Sequence, residues 1–268
     1  HVFSPFEGLD SNALCSIGDF TGSQSPVSVT LHDLIPLIYS DTHLSDSVHA
    51  RWYQGKLDAF RRANLFLANS DHSRQEGINL LGLPEEWSVR VPGAADAIFR
   101  PMDLPADRIH ALRTRFGLNR SFILCTGGGN RSKNVASLIG AYGRMPEELR
   151  KQYQLLIICE TFNSEVAALK LLAAQPQFAE SDVVFIELIS DADLAALYNL
   201  STVFAFPSLH EGFGLSALEA MQCGIPTIGA NTSNVPAVIG RPDALFNPKD
   251  ENEIADKLSQ VLRDKSFR

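Results

Sequence analysis

The chain has 268 residues, enough for one large or two ordinary domains with a substantial core. A hydrophobic share of 45% with 20% charged residues is that of a soluble globular protein, and the formal charge of −8 excludes the broad basic surface that nucleic-acid binding needs. No apolar run approaches the length of a membrane span and no signal peptide opens the sequence, so the expected setting is cytoplasmic.

Short β-rich runs alternate with longer helical patterns along the chain, the mark of a parallel α/β architecture. Strands are expected at 27–31, 65–68, 88–91, 122–125, 155–159, 183–186, 202–206 and 227–230. Helices are expected at 134–142, 165–174, 191–198, 214–223 and 251–262. Ser190 and Asp250 stand where N-caps belong, with Asp193 placed for a capping box. A seam falls at Phe99-Arg-Pro-Met-Asp-Leu-Pro105, where two prolines interrupt the pattern, and it divides the chain into 1–100 and 101–268. Three or four strands precede the seam, too few for a complete Rossmann-like domain; a nearly complete one follows. The opening His1-Val-Phe-Ser-Pro5 lacks an initiator Met and reads as mid-domain sequence, so a fragment of a longer polypeptide is expected. Cys15, Cys125, Cys159 and Cys223 are scattered without a Cys-x-x-Cys spacing and read as reduced core thiols.

Six stretches carry candidate chemistry. The run Thr30-Leu-His-Asp-Leu-Ile35 delivers His32 and Asp33 to the carboxyl end of a strand, where open parallel sheets hold their ligands. Taken alone, the pair reads better as a hydrogen-bonded sheet-edge His with Asp33 capping a turn. The stretch 51–68 mixes Arg51, Lys56, Arg61 and Arg62 with Trp52, Tyr53, Leu57 and Phe60. Such a basic amphipathic helix either rests on an anionic membrane or packs its aromatic face on a sheet. Cys125-Thr-Gly-Gly-Gly-Asn-Arg-Ser-Lys-Asn134 follows a strand and precedes a helix, which suits a phosphate-binding turn of flexible glycines, backbone donors and cations. A dinucleotide fingerprint fails at its sixth position, Ser132.

Asp191-Ala-Asp193 has the Asp-x-Asp spelling of metal-dependent sites, but it opens a helix after Ser190, so capping is the preferred reading. No His-Glu-x-x-His helix or other ligand spacing occurs, and no metal is expected. The longest motif is Phe206-Pro-Ser-Leu-His-Glu-Gly-Phe-Gly-Leu-Ser-Ala-Leu-Glu-Ala-Met221. It joins a strand, a loop with Glu211 and glycines at 212 and 214, and a helix bearing Glu219. Bare backbone and free N–H groups at a helix N-terminus suit an anionic ligand that also carries hydroxyls. The last stretch, Ser233-Asn-Val-Pro-Ala-Val238, matters through Ala237, considered next.

The 206–221 stretch, continued by Gln222-Cys-Gly-Ile-Pro-Thr-Ile-Gly-Ala-Asn231, resembles the donor-site signature of retaining glycosyltransferases of the GT-B fold, family 4. The Glu-x7-Glu pair falls at Glu211 and Glu219. The resemblance implies two Rossmann-like domains with parallel sheets facing a cleft: an incomplete N-terminal, acceptor-side domain (1–100) and a C-terminal donor-binding domain (101–268). It implies that Glu211 contacts the donor sugar, that Glu219 accepts from the ribose hydroxyls, and that His32 faces the transferred sugar. It further implies that Lys133, with Arg131, holds the diphosphate, while Gly128, Gly129, Gly212, Phe213, Gly214 and Leu215 line the donor site.

Two departures stand out. Ser132 occupies a place where relatives often have Arg, and Ala237 one where they usually have Glu. Ser216 replaces a common Pro, a change expected to be tolerated. The activity implied is hexosyl transfer from a nucleoside diphosphate sugar, GDP-mannose first, without a cofactor. The acceptor would be a glycan or lipid-linked glycan, and the lipid option carries the expectation of peripheral membrane contact. A non-catalytic nucleotide-sugar-binding domain of a multi-domain synthase, or a GT-B epimerase, is the competing reading.

Overall fold

The computed structural model describes residues 1–4, 6, 26–159, 164–187, 189–264 and 267. Its backbone forms two compact units, His1–Gly93 with Glu211–Phe213, and Ala94–His210 with Gly214–Arg268.

The first unit holds β1 (Ser28–Leu31), α1 (Ser47–Phe60), β2 (Leu65–Ala68), α2 (Asp71–Leu81) and β3 (Ser88–Arg90). The three strands are parallel in the order β1-β2-β3. Both β1 and β2 bury alternate residues, and Val29, Leu31, Phe66 and Ala68 form a core with Tyr53, Leu57 and Phe60 of α1. Asp46 fixes the start of α1 by accepting from the Val48 and His49 amides, and Ser70 fixes α2 by accepting from Ser73 N. Helix α1 settles the reading of residues 51–68. Its aromatic face is taken by the sheet, and Lys56 is itself buried, with Nζ 5.6 Å from the Trp52 ring centre. Arg51, Arg61 and Arg62 stay exposed on the outer side of this segment. Among the described residues no helix is long and apolar enough to cross a membrane.

The second unit runs α3 (Ala106–Phe116), β4 (Ser121–Gly128), α4 (Val135–Arg144), β5 (Tyr153–Cys159), α5 (Ser164–Ala173), β6 (Val183–Glu187), α6 (Asp191–Leu200), β7 (Val203–Phe206), α7 (Leu215–Gln222), β8 (Thr227–Ala230), β9 (Leu245–Phe246) and α8 (Glu251–Arg263). All six strands are parallel, in the order β6-β5-β4-β7-β8-β9. Counted from β4 this is 3-2-1-4-5-6, the order of a complete dinucleotide-type Rossmann sheet. Strands β4, β5 and β7 are buried almost throughout, as parallel strands covered by helices on both faces must be. Helix α4 packs on α5 and α8, and α7 packs on α6. Ile254, Leu258, Val261 and Leu262 make the apolar stripe of α8, which Asp250 caps by accepting from the Asn252 and Glu253 amides.

Of the elements labelled above, α2, α3 and the two-residue strand β9 escape the sequence reading. Helix α3 fully buries only Leu112, with Ile109 and Phe116 half-buried on the same stripe, so its apolar face is narrow. Cys125, Cys159 and Cys223 are buried and free, and Cys15 lies outside the described residues. Burial pushes the Cys125 thiol up to about 12, reinforced by neighbouring Cys159, which keeps it an inert core group.

Candidate functional site

In the second unit the chain direction across the sheet reverses between β4 and β7, which pair directly. Ligands of open α/β sheets bind outside the carboxyl ends of strands at such a reversal. The two segments leaving these strands belong to the glycine-rich 125–134 motif and to the 206–221 motif. They are tied together by Leu209 N donating to Ser132 O at 2.8 Å and by Asn134 Nδ2 donating to Pro207 O at 3.2 Å.

The glycine run in the first segment has a local structural cause. Gly127 and Gly129 have φ of 88° and 97°, which side chains rarely adopt. A Cβ on Gly128 would lie 2.5 Å from Cys159 Sγ, so β4 can pair with β5 there only without a side chain. A Cβ on Gly127 would lie 2.6 Å from Lys133 Cγ; the absent side chain is the space the Lys133 stem uses. Lys133 closes a short 3-10 turn, Arg131–Lys133, capped by Asn130, and its Nζ stands 6.0 Å from the Phe206 ring centre at the end of β7.

The departure at Ser132 also has a cause. Ser132 is buried, with its hydroxyl on Asn130 Oδ1 at 2.8 Å, a place without room for an arginine. The cation next to it, Arg131, is exposed and pairs with Glu165 at 3.2 Å. A cavity of about 270 Å³ lies between the starts of α4 and α5, lined among others by Gly129, Asn130, Arg131, Asn134 and Glu165.

Beyond the second segment, Gly214 takes φ 100° and is the N-cap of α7, with no side-chain cap. Leu215 opens the helix and is exposed, and Glu219 follows on the second turn, half-buried. Glu219 Oε2 accepts a hydrogen bond from Tyr198 Oη at 3.2 Å. Burial raises the Glu219 carboxyl above the usual range and Asp191 adds to this, while the Tyr198 bond opposes it. A carboxylate held this way is not a solvated helix-end charge.

The first unit carries His32 and the Glu211–Phe213 segment. His32 lies just past β1, with Nε2 3.2 Å from Phe3 O and its ring edge-on to Phe3. Asp33 accepts from Ile35 N at 3.0 Å, so it does cap a turn. Gly212 is packed against this strand end: a Cβ there would lie 2.2 Å from His32 O. Its carbonyl accepts from Ser70 Oγ at 2.5 Å and Ser73 Oγ at 3.1 Å, and Ser73 Oγ also lies 2.9 Å from His32 O. On the side where a Gly212 side chain would lie, the chain's own β1 end fills the space, which is a structural reason for glycine there. Glu211 is buried and Phe213 half-buried.

Of the predicted residues, Gly128, Gly129, Arg131, Lys133, Gly214, Leu215 and Glu219 gather at the β4 and β7 ends of the second unit. His32 and Gly212 meet in the first. Asp193 is no metal ligand: it binds Arg108 Nη2 and, at 2.8 Å, Arg115 Nη1, so the reciprocal arm of a capping box is absent as well. Ser190 does cap α6, accepting from Asp193 N at 3.2 Å. Ala237 is exposed, so the relatives' acid is not missing from a buried support. Sequence reasoning missed Tyr198, and it treated Ser216 only as a tolerated replacement for Pro. Tyr198 sits on the buried stripe of α6 with Ala195, a helical spacing that reads as core.

The family model for glycosyl transferases group 1 matches residues 112–268. Over 267 residues the chain is 36% identical to the Escherichia coli serotype-specific mannosyltransferase WbdA, covering all of this chain and 33% of that protein. It is 30% identical over 240 residues to the E. coli O-antigen chain mannosyltransferase B, covering 89% of this chain and 62% of the relative. The chain thus spans about a third of the length of the WbdA relatives. Among solved structures, Anabaena HepE in complex with UDP and glucose superposes with TM-score 0.75 at 22% identity, covering 91% of this chain and 64% of HepE. WaaG, a glycosyltransferase involved in lipopolysaccharide biosynthesis, superposes with TM-score 0.71 at 16% identity, covering 92% and 69%. These structural neighbours are GT-B glycosyltransferases, and the α/β fold of this chain is of the same type.

Proposed function

From the premise that this chain belongs to the glycosyl transferases group 1 family, we propose that it binds a nucleoside diphosphate sugar and serves in hexosyl transfer. The donor we assign first is GDP-mannose, the acceptor a hydroxyl of a glycan or lipid-linked glycan in surface polysaccharide synthesis, and the outcome retention, as in family 4 enzymes. The mannosyltransferase relatives support the choice of sugar. The observation that carries the reading is the reversal between β4 and β7, where the turn after β4 and the Pro207–Leu209 stretch after β7 are tied together.

In this reading residues 101–268 form the donor-binding domain and 1–100 belong to the acceptor side. Lys133 and the uncapped start of α7 take the growing charge of the leaving diphosphate. A diphosphate stabilised in this way leaves without a general acid, and the leaving phosphate can take the acceptor proton. Arg131 contributes after parting from Glu165, an exposed pair that costs little to break. Glu219 accepts from the ribose hydroxyls, Glu211 from those of the sugar, and His32 faces the transferred sugar. Metal independence is part of the proposal.

The test is a thermal-shift panel of nucleotide sugars on the full-length protein, followed by turnover assays of Lys133→Ala and Glu211→Ala. GDP-mannose should stabilise most, and each variant should lose at least about a hundredfold in turnover, the size of one lost transition-state contact. A panel without a responder sinks the reading. Donor binding without turnover assigns the chain instead to the non-catalytic module of a larger synthase, an option its one-third share of the WbdA relatives keeps open.

A further inference from the structure

Tyr198 is a fully buried phenol whose hydroxyl meets Glu219. The ring is wedged edge-on between Phe99 and Phe204, with centroids 5.9 and 5.4 Å away. Such packing holds the ring, and with it the position of Oη. From there it donates to Glu219 Oε2 at 3.2 Å and hydrogen-bonds the Ser216 hydroxyl. Ser216 and Glu219 are three residues apart on α7, hence on one helix face, and both reach the same phenol. A glutamate on a helix surface normally samples several rotamers along three torsions. Here one carboxylate oxygen is pinned and the other is left to act. Burial raises the Tyr198 phenol well above its ordinary range, so it remains protonated and acts as a donor toward the carboxylate.

We propose that Tyr198, assisted by Ser216, is a positioning residue that fixes the Glu219 carboxylate for ribose recognition and so sets the preference for ribonucleotides over deoxy analogues. The inference rests on the donor-site reading given above. It also gives Ser216 a purpose: a proline there has no hydroxyl to offer the phenol, so this chain adds a polar contact at that position.

The experiment measures, by calorimetric titration of the full-length protein, the affinity for GDP and UDP and for their 2′,3′-dideoxy analogues. Wild-type protein should prefer the ribose form by about tenfold or more, the worth of a charge-assisted hydrogen bond. Glu219→Ala should abolish that preference. Tyr198→Phe keeps the packed ring; it should cut the preference about three- to tenfold and leave affinity for the dideoxy form unchanged. Ser216→Ala should reduce it by a smaller factor, and Tyr198→Phe should add nothing to Glu219→Ala.

The proposal is overturned if Tyr198→Phe and Ser216→Ala keep the full ribose preference while Glu219→Ala loses it. It is equally overturned if Tyr198→Phe weakens ribose and dideoxy forms in the same proportion, the mark of a purely structural tyrosine. Failure of the underlying reading looks different: wild-type protein then binds both forms equally, or neither diphosphate, and Glu219→Ala changes nothing. That result removes the premise and the proposal together.

Discussion

Glu219 shows how a candidate site residue can work against the stability of the fold that holds it. Burial, then Asp191, raises its carboxyl, and the Tyr198 bond only partly offsets them. A carboxyl raised on folding favours the native state at low pH, and this contribution is lost as pH rises through the folded value. At neutral pH the ionised side chain therefore costs stability. Glu219→Gln is expected to raise the denaturant midpoint at pH 7, with the gain shrinking toward zero as pH falls through the folded value of the wild-type carboxyl into the ordinary carboxylate range near about 4.3. Urea unfolding at several pH values checks this, and a variant less stable than wild type at pH 7 would contradict it. Gly128 makes a different point at the same scale. The glycine that reads as a phosphate contact is also required by Cys159 Sγ, so its presence does not by itself report a ligand.

The helix decides what an Asp-x-Asp spelling means. Asp191 and Asp193 open α6, where Ser190 supplies the cap and Asp193 reaches Arg108 and Arg115 of α3. The buried carboxylate thus fastens two helices together. Asp193→Ala should lower stability by about 1–2 kcal/mol, near the low end for charge-assisted bonds because both arginines are largely exposed and return to water. Nucleotide binding should be unchanged, with or without EDTA. Denaturation curves and nucleotide titrations read both parts, and a loss of binding on chelation would restore the metal reading. Helix α1 carries the same lesson, since sequence alone left its aromatic face to either a membrane or a sheet. The buried Tyr53, Leu57 and Phe60 answer for the sheet.

Each of the two units has its own apolar core, built on a separate parallel sheet. Unfolding of the full chain should accordingly resolve into two calorimetric transitions. GDP lacks the sugar that Glu211 would contact. At about a hundred times its dissociation constant it should add roughly 2.7 kcal/mol to the second unit alone, raising that transition by about 5–10 °C. A single transition, or an equal rise of both, would argue against this division of labour.

The alternation of strands and helices, the order of the two motifs and the family were all legible in the amino-acid sequence, because these depend on local pattern and on chemistry written in consecutive residues. Strands 65–68 and 227–230 and the start of the 251 helix needed nothing beyond their own side chains and caps. Helix α3 and strand β9 were hidden because their burial comes from neighbours distant in the chain. The tertiary structure alone decided that Ser132 is buried while Arg131 faces Glu165, that Gly212 yields to the His32 carbonyl, and that Tyr198 meets Glu219 across 21 positions. Each is a contact between remote segments, and no periodicity along one segment encodes which partner folding will place beside it.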